Sequence, residues 1–162
     1  MKSFKIYLMA VLAAGLMACN NAQEDGSNTK TASNNSPSAA VNTGSQLTAW
    51  QTEHGVGPVI ENLTLGAVDA KMAERGVAVF DTKCSACHKI GERYVGPALG
   101  DVLSRRKPEY VMNMILDPEK MLKLHPEAQK MLAQFYTPMP NQNLTKDEAR
   151  DVLEYLRQQQ SN

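Results

Sequence analysis

The sequence predicts an all-α fold in which helices surround a small aliphatic core. Two segments, from Ala128 to Phe135 and from Ala149 to Leu156, repeat apolar residues with the spacing of one helix face. No segment alternates apolar and polar residues between turns, as a half-buried strand would. Aromatic residues make up only 6% of the chain, although 43% of it is hydrophobic. The core is therefore expected to be thin and built mainly from aliphatic side chains.

The first helix of the folded domain is predicted to begin after Asp69 and to run through Cys84. Aspartate is one of the residue types that cap helix N-termini, and Asp69 directly precedes a helix-like run. Gly76 and Phe80 lie on one face of this run with other apolar residues. Because glycine lowers helix propensity, Gly76 is best explained by another helix that crosses closely at this point.

Three further helices are predicted downstream. An apolar run from Tyr110 to Leu116 stops before Asp117-Pro118, because the residue before a proline disfavours helical backbone. The apolar stripe that ends at Phe135 forms the next helix. Thr145 and Glu148 have the pattern of a capping box and mark the start of the C-terminal helix.

Residues 1–18 have the features of a bacterial secretory signal peptide. Two lysines precede an uncharged run of thirteen residues from Ile6 to Ala18, and a bilayer span needs about 20 apolar residues. The run ends in Leu16-Met17-Ala18-Cys19, which resembles the lipobox, where the cysteine receives a diacylglycerol before cleavage. Cys19 is therefore the predicted lipidation site. An ordinary signal peptide followed by a chance cysteine is the alternative.

The remainder of the chain divides into a tether and a folded part. After its cysteine, the segment 19–45 contains one large apolar side chain, so it cannot bury enough surface to fold and is predicted to be a disordered tether. A flexible coil of this length reaches roughly 28 Å. Residues 46–68 are an N-terminal extension that either wraps the domain or lengthens the tether. Residues 69–160 form the folded domain.

The balance of charge excludes one class of function. The chain has 17 basic and 17 acidic residues. Removal of the signal peptide with its two lysines leaves a formal net charge of 15 − 17 = −2. No excess of positive charge is available to attract a polyanion, so the sequence predicts no nucleic-acid partner.

Cys84, Cys87 and His88 form the pattern Cys-x-x-Cys-His, which is the attachment signature of c-type haem. Residues three apart lie about one helical turn from each other, so both sulfurs can bond the two vinyl groups on one haem edge. The histidine then reaches the iron as its proximal ligand. A zinc site would need two more ligands, of which only His54 and His125 remain as histidines. A redox-active dithiol is the third interpretation of the motif. Such dithiols are expected in a βαβ unit, and the sequence predicts none.

From about residue 69 to 158 the sequence resembles the class I cytochromes c, chiefly the small bacterial ones. The resemblance implies one covalent haem c and a fold in which the first and last helices of the domain cross near Gly76. It also implies that Gly96-Pro97 orients His88, because the proline carbonyl accepts a hydrogen bond from the imidazole Nδ1–H in this family. A simple turn is the competing role of this dipeptide.

Met139 matches the position of the distal iron ligand in the same family. It lies in Thr137-Pro138-Met139-Pro140, and prolines on both sides restrict the backbone that would hold its thioether over the iron. His125 is the main rival ligand, followed by His54 or an open iron. The remaining methionines of the mature chain lie in helix-like segments, where they are expected to fill the core: Met72, Met112, Met114, Met121 and Met131.

Two groups of residues near the haem stay unassigned by the sequence. The basic residues near the haem form either a basic rim for docking of a partner or an ordinary solvated face. They are Lys83, Lys89 and Arg93, with Arg105-Arg106-Lys107 after the Gly-Pro turn. Tyr94, Tyr110 or one of the arginines could bind the haem propionates, and the sequence does not select among them.

The implied function is one-electron transfer by a membrane-tethered monohaem carrier, not an enzyme, on the periplasmic side of the cell envelope. An iron with both axial positions filled has no vacancy for a substrate. Two competing functions are a haem subunit of a larger oxidoreductase, and a peroxidase-like or gas-sensing haem protein with an open iron site.

The expected partners are other redox proteins. A quinol-oxidising complex or another donor would supply the electron, and a terminal reductase or oxidase would accept it. Three segments resemble small lipo-cytochromes that are found beside nitrous-oxide reductases: EHGVGPV, RRKPEYVMNMILDPEKM and PMPNQNLTKDEARDVLEYL.

Overall fold

The computed structural model describes residues 46–160, which form helices and loops with no strand in that range. The all-α fold class is confirmed. The predicted signal peptide, Cys19 and the tether up to residue 45 lie outside the described residues. The helices are α1 (Ala49–His54), α2 (Ala70–Lys83), α3 (Val102–Arg105), α4 (Pro108–Leu116), α5 (Pro118–Leu124), α6 (Pro126–Phe135) and α7 (Lys146–Gln160).

The caps of α2 and α7 are those that the sequence predicts. The side chain of Asp69 accepts hydrogen bonds from the backbone N–H groups of Lys71 and Met72, both at 2.9 Å. Thr145 Oγ1 accepts from the Glu148 N–H at 3.2 Å, and Glu148 Oε2 accepts from the Thr145 N–H at 2.8 Å. Helix α2 ends at Lys83, one residue earlier than predicted, and Cys84 is its C-cap.

Helices α2 and α7 cross at Gly76, as expected for a glycine in the middle of a helix. A Cβ at this position would lie 2.1 Å from the backbone oxygen of Asp151 and 2.9 Å from Cβ of Tyr155. Phe80, one turn farther along α2, packs its ring against Tyr155 with 5.2 Å between the centroids. The two helices thus approach at a distance that no larger residue at position 76 allows.

The Gly76→Ala variant is expected to lower the free energy of unfolding by about 1–3 kcal/mol, the usual cost of overpacking a core. Alanine alone would raise helix propensity by about 1 kcal/mol, so helix propensity and packing predict opposite signs. Chemical denaturation of the holoprotein measures the difference. Gly91→Ala is the matched control, because a Cβ there meets nothing within 4 Å. A Gly76→Ala protein as stable as wild type would show that the helices do not cross this closely.

Residues 46–68, which we call the N-terminal strap, pack against α4 and so wrap the domain. Asn113 is fully buried on α4 and binds the strap backbone at two places. Its Oδ1 accepts from the Val59 N–H at 2.9 Å, and its Nδ2 donates to the carbonyls of His54 at 3.1 Å and Val59 at 2.9 Å. All the hydrogen bonds of this amide therefore serve to hold the strap.

Glu109, one turn before Asn113, is a second buried contact to the strap. Its carboxylate accepts from the Leu63 N–H at 2.6 Å and from Nδ1 of His54 at 3.0 Å. Burial alone would raise the pKa of Glu109, but these hydrogen bonds outweigh it and hold the pKa below the usual value. Glu109 and Asn113 face the strap, whereas other residues of α4 face a cavity on the opposite side of the helix.

The glycines of the strap allow its close approach to α4 and α5. Gly55 has φ +84°, and a Cβ at Gly57 would lie 2.5 Å from Oδ1 of Asn113. Between them, the Val56 N–H donates to the sulfur of Met121 at 3.0 Å.

None of the helices between residues 46 and 160 has both the length and the hydropathy of a membrane span.

Candidate functional site

A cavity between α2, α4, α6 and the loop before α7 brings together most of the predicted site residues. Cys84, Cys87, His88 and Met139 all line it. The rest of the wall is mainly apolar and includes Phe80, Leu99, Val111, Ile115, Leu132 and Leu156.

Cys84, Cys87 and His88 form a tight turn that continues from the end of α2. The carbonyl of Cys84 accepts hydrogen bonds from the N–H groups of Cys87 at 3.0 Å and His88 at 2.9 Å. The turn is fixed to the helix because the N–H groups of Cys84 and Ser85 both donate to the carbonyl of Phe80, at 2.8 and 2.9 Å. Both thiols and the imidazole thereby reach one cavity.

The environment of Cys84 does not favour a reactive dithiol. Burial, and to a smaller extent the neighbouring Cys87, raises the pKa of the Cys84 thiol to about 11. A redox-active cysteine needs a lowered pKa, since the thiolate is the nucleophile. Between residues 46 and 160, no three His, Cys, Asp or Glu side chains come together in a way that could hold a metal ion.

The ring of His88 is oriented by the carbonyl of Pro97. Nδ1 of His88 lies 3.0 Å from this oxygen, and because a carbonyl only accepts, Nδ1 must carry the proton. The other ring nitrogen, Nε2, then holds a lone pair that can bind a metal. The proposed orienting role of Pro97 agrees with this contact.

Gly96 is required by the same ring. A Cβ at this position would lie 2.5 Å from Cε1 and 2.8 Å from Nδ1 of His88. The Gly96 N–H also donates to the carbonyl of Cys87 at 2.8 Å, which closes the loop between the motif and the dipeptide. Gly96-Pro97 therefore does more than turn the chain: it shapes the space that the imidazole occupies.

Three methionines line the cavity. Met139 lies in the loop between α6 and α7, Met114 is on α4 and Met131 is on α6. The sequence places Met114 and Met131 only in the general core, and their exposure to the cavity depends on how α4 and α6 pack. Met112 and Met121 are buried elsewhere, at 3% and 0% exposure.

The two other histidines are held by protein groups. His125 is 1% exposed; its Nδ1 accepts from the Glu127 N–H at 3.2 Å as the N-cap of α6, and its Nε2 lies 3.2 Å from the carbonyl of Thr52. His54 stacks on Trp50 and is bound to Glu109. Neither histidine lines the cavity.

Polar side chains from the α3–α4 junction also reach the cavity. Arg105, Arg106 and Tyr110 line it, and so does Lys83 beside Cys84. The sequence proposes the arginines and Tyr110 only as a group with other residues. Asp101 and Arg105 are four residues apart, a spacing of opposite charges that indicates a helix. In the structure their side chains pair at 2.7 Å beside α3.

Two cations of the candidate basic rim, Lys89 and Arg93, contact neighbouring groups of the protein. Nζ of Lys89 donates to the carbonyl of Ser85 at 3.0 Å and lies 5.1 Å from the ring centroid of Tyr94. The guanidinium of Arg93 lies 4.2 Å from the ring centroid of Phe135. These contacts fix both cations without using a carboxylate.

The donor set suits a covalently held haem. Two thiols, an imidazole with an available Nε2 and a thioether surround an apolar space, and arginines at one end can bind carboxylates. The two thiols can add to the vinyl groups of a haem. The imidazole nitrogen and the thioether sulfur are both known ligands of haem iron.

Comparisons with known proteins point to one family. The family model described as Cytochrome c matches residues 73–160, more than half of the chain. A "Cytochrome c-553-like" protein of Synechocystis is 28% identical over 86 residues, which cover 52% of this chain and 67% of the relative. Cytochrome c2 of Rhodopseudomonas palustris is 42% identical over 45 residues, 28% of this chain and 32% of that protein. The solved structure of a cytochrome c from Rhodothermus marinus has TM-score 0.65 and 40% identity, and covers 68% of this chain and 96% of its own.

Proposed function

We propose, from the premise that the chain belongs to the cytochrome c family, that it is a lipid-anchored carrier of single electrons with His88 and Met139 as axial iron ligands. Membership of the family establishes covalent haem c and electron transfer. The ligand pair, the anchor and the partner are the proposed parts. The observation that supports the proposal best is that both cysteines, His88 and Met139 line the same apolar cavity.

On the proximal side, His88 is prepared to bind iron through Nε2. Its Nδ1–H donates to the carbonyl of Pro97 at 3.0 Å, and this bond fixes the tautomer and increases the basicity of the ring. The absence of a side chain at Gly96 leaves room for this orientation. When bound, haem c supplies a one-electron ferrous/ferric couple.

On the distal side, several features favour Met139. Its loop carries Pro138 and Pro140, which restrict the backbone on both sides of the methionine. Met114 and Met131 line the same cavity, but they lie on α4 and α6, and neither is flanked by a proline on each side. Both ring nitrogens of His125 and Nδ1 of His54 contact protein groups, and neither histidine lines the cavity.

The cavity favours the reduced state. An apolar wall disfavours the additional positive charge of ferric iron, and a thioether ligand raises the potential relative to imidazole. A relatively high potential suits a carrier that accepts electrons from a quinol-oxidising complex and passes them to a terminal acceptor.

The lipid anchor is proposed from Leu16-Met17-Ala18-Cys19 and from the polar segment that follows. Lipid on Cys19 and a tether with a reach of roughly 28 Å would keep the domain near a membrane on the periplasmic side. The strap extends the folded domain to residue 46, so the tether of this proposal ends there.

Changing Cys19→Ser is expected to move the protein from the membrane fraction to the soluble periplasmic fraction. The reason is that the hydroxyl cannot receive the diacylglycerol, while the haem motif is untouched. Fractionation with haem staining and mass spectrometry of the N-terminal peptide measures both effects. Wild-type protein that is already soluble and unacylated would contradict the anchor.

The acceptor is proposed to be a nitrous-oxide reductase. The proposal rests on the resemblance of three segments to lipo-cytochromes that occur beside such enzymes, one of which is the strap sequence around Gly55 and Gly57. In this chain that sequence forms the close contact with Asn113.

Reduced full-length protein mixed with purified nitrous-oxide reductase is expected to be reoxidised on addition of nitrous oxide, because the enzyme then draws electrons from the carrier. Stopped-flow absorbance of the haem follows the rate, and the same mixture without nitrous oxide is the control. Rapid reoxidation by a terminal oxidase and oxygen, with none above the control for the reductase, would assign the carrier to the oxidase instead.

A further inference from the structure

We infer that the domain docks on the membrane surface through lysines around the start of the N-terminal strap, which bind the phosphate groups of anionic phospholipids. Four exposed lysines form this group, which we call the strap-side lysines: Lys107, Lys120, Lys123 and Lys130. The inference rests on the lipid anchor of the proposed function, because the anchor holds the domain beside a bilayer. It holds whichever methionine binds the iron and whichever protein accepts the electron.

The strap begins on the side of the domain that α4, α5 and α6 form. Leu47 packs against a small cluster from the strap and these three helices: Val56, Tyr110, Met121 and Ala128. Helix α1, which follows Leu47 closely, is fixed to the corner between α5 and α6, because the Thr52 carbonyl lies 3.2 Å from Nε2 of His125. The proposed tether therefore joins the domain at this corner.

The strap-side lysines lie on the elements that surround this corner. Lys120 and Lys123 are three residues apart on α5, so they share one face of that helix. Met121 of the same helix is fully buried and accepts a hydrogen bond from the strap backbone. Lys107 pairs with Glu53 of α1 at 3.2 Å, which places this cation beside the strap as well. Cations thus surround the point at which the tether begins.

Positive charge is concentrated on this side of an otherwise acidic domain. Residues 105–130 include six basic and four acidic residues, whereas the rest of the range 46–160 includes eight basic and eleven acidic ones. One of the four carboxylates, Glu109, is buried and binds the strap. An anionic membrane therefore attracts this side of the domain and repels the remainder, which orients the domain on the surface.

The strap-side lysines are available to bind phosphate. Lys120 and Lys123 are exposed and make no side-chain hydrogen bond or ion pair within residues 46–160. The other two lysines pair with Glu53 at 3.2 Å and Glu127 at 2.6 Å, but such exposed ion pairs contribute little stability, so a phosphate can replace the carboxylate. Glu119 is the exposed carboxylate of α5, and the cations around the corner outnumber it.

Docking in this orientation leaves the Met139 end of the domain open to partners. Helix α6 runs from the corner at Pro126 to Phe135 and is about 15 Å long. The Met139 loop follows this helix, and Tyr136 at its start is 89% exposed. The loop that would bind the iron therefore lies one helix length away from the corner that meets the membrane.

Lysine acetylation footprinting of the lipidated full-length holoprotein tests the inference. The protein is bound to vesicles of phosphatidylcholine alone, or of an equal mixture of phosphatidylcholine and phosphatidylglycerol, and mass spectrometry measures the acetylation rate of each lysine. We expect the strap-side lysines to react roughly fivefold more slowly on the mixed vesicles, the usual effect of one cation at an anionic surface. Salt at about 1 M should remove this protection, because it screens the charges.

Lys71 and Lys146 are the internal controls. They lie on α2 and α7, are exposed and make no side-chain hydrogen bond or ion pair in the described part of the chain, so their rates should be equal on both vesicles. The variant Lys120→Gln/Lys123→Gln should lose the protection of the two remaining strap-side lysines. Lys71→Gln/Lys146→Gln removes the same charge and should leave that protection intact.

Two results would contradict the inference in distinguishable ways. Strap-side lysines that react equally fast on both kinds of vesicle, with the protein bound, would overturn the membrane contact and leave these lysines to an acidic protein partner. Protein that sediments with neither kind of vesicle would contradict the lipid anchor itself, and the inference would fall with it.

Discussion

The double variant Cys84→Ala/Cys87→Ala is expected to lose covalent haem completely. Wild-type protein made with a cytochrome c maturation system should keep its haem through denaturing electrophoresis and acid–organic extraction. The reason is that the thioether bonds replace the two thiols that line the cavity. Haem staining of the gel and the mass of the intact chain measure the difference.

Stability is expected to fall together with attachment. The cavity lies between α2, α4 and α6, and the domain has few aromatic side chains with which to fill it. An empty apolar cavity lacks packing contacts on one side, so the double variant should unfold at a much lower denaturant concentration. Cys19→Ser is the matched control, because it changes a cysteine outside the motif. Haem that extracts freely from the wild type would contradict covalent attachment and everything that depends on it.

Met139→Ala is expected to open the iron, and Met139→His is expected to lower its potential. Without the thioether the ferrous protein should bind CO readily, and the ferric protein should become high-spin, unlike the wild type. Imidazole is a stronger donor and favours ferric iron, so the histidine variant should lose at least ~60 mV for a tenfold shift in this one-electron couple. Potentiometric titration and CO difference spectra provide the measurements.

His125→Ala tests whether His125 binds the iron or only stabilises the fold. The ring of His125 caps α6 and contacts the carbonyl of Thr52, so its loss should destabilise the domain. The spectrum and potential of the folded holoprotein should stay close to wild type. If His125→Ala opened the iron to CO while Met139→Ala did not, the distal ligand would be the histidine.

Four of the helices, α2, α4, α6 and α7, could be predicted because their signals are local, whereas α1, α3 and α5 were not predicted. Asp69 and the Thr145–Glu148 pair cap the helices that the sequence assigns to them, and Gly76 marks the crossing of α2 and α7. The strap could not be predicted, since it has no apolar period. It is held by backbone groups that bond to Glu109 and Asn113, two polar residues in an otherwise apolar helix.

The site was predictable in proportion to how closely its residues follow one another in the sequence. The motif ending at His88 and the dipeptide Gly96-Pro97 lie within a few residues of each other. The hydrogen bond between the His88 ring and the Pro97 carbonyl is the one that the family resemblance implies. The assignment of Met139 stays a prediction. Met114 and Met131 share its cavity because of how α4 and α6 pack, and no sequence pattern distinguishes a methionine that faces the cavity from one that faces the core.

The weak long-wavelength absorption band of ferric iron bound to sulfur tests the proposed ligand pair most directly. We expect this band in the wild type, its loss in Met139→Ala and its survival in Met114→Leu and Met131→Leu, the two variants of the other methionines that line the cavity. A band that survives in Met139→Ala and disappears in either leucine variant would assign the iron to another methionine. A wild type without the band would contradict the His88–Met139 ligand pair altogether.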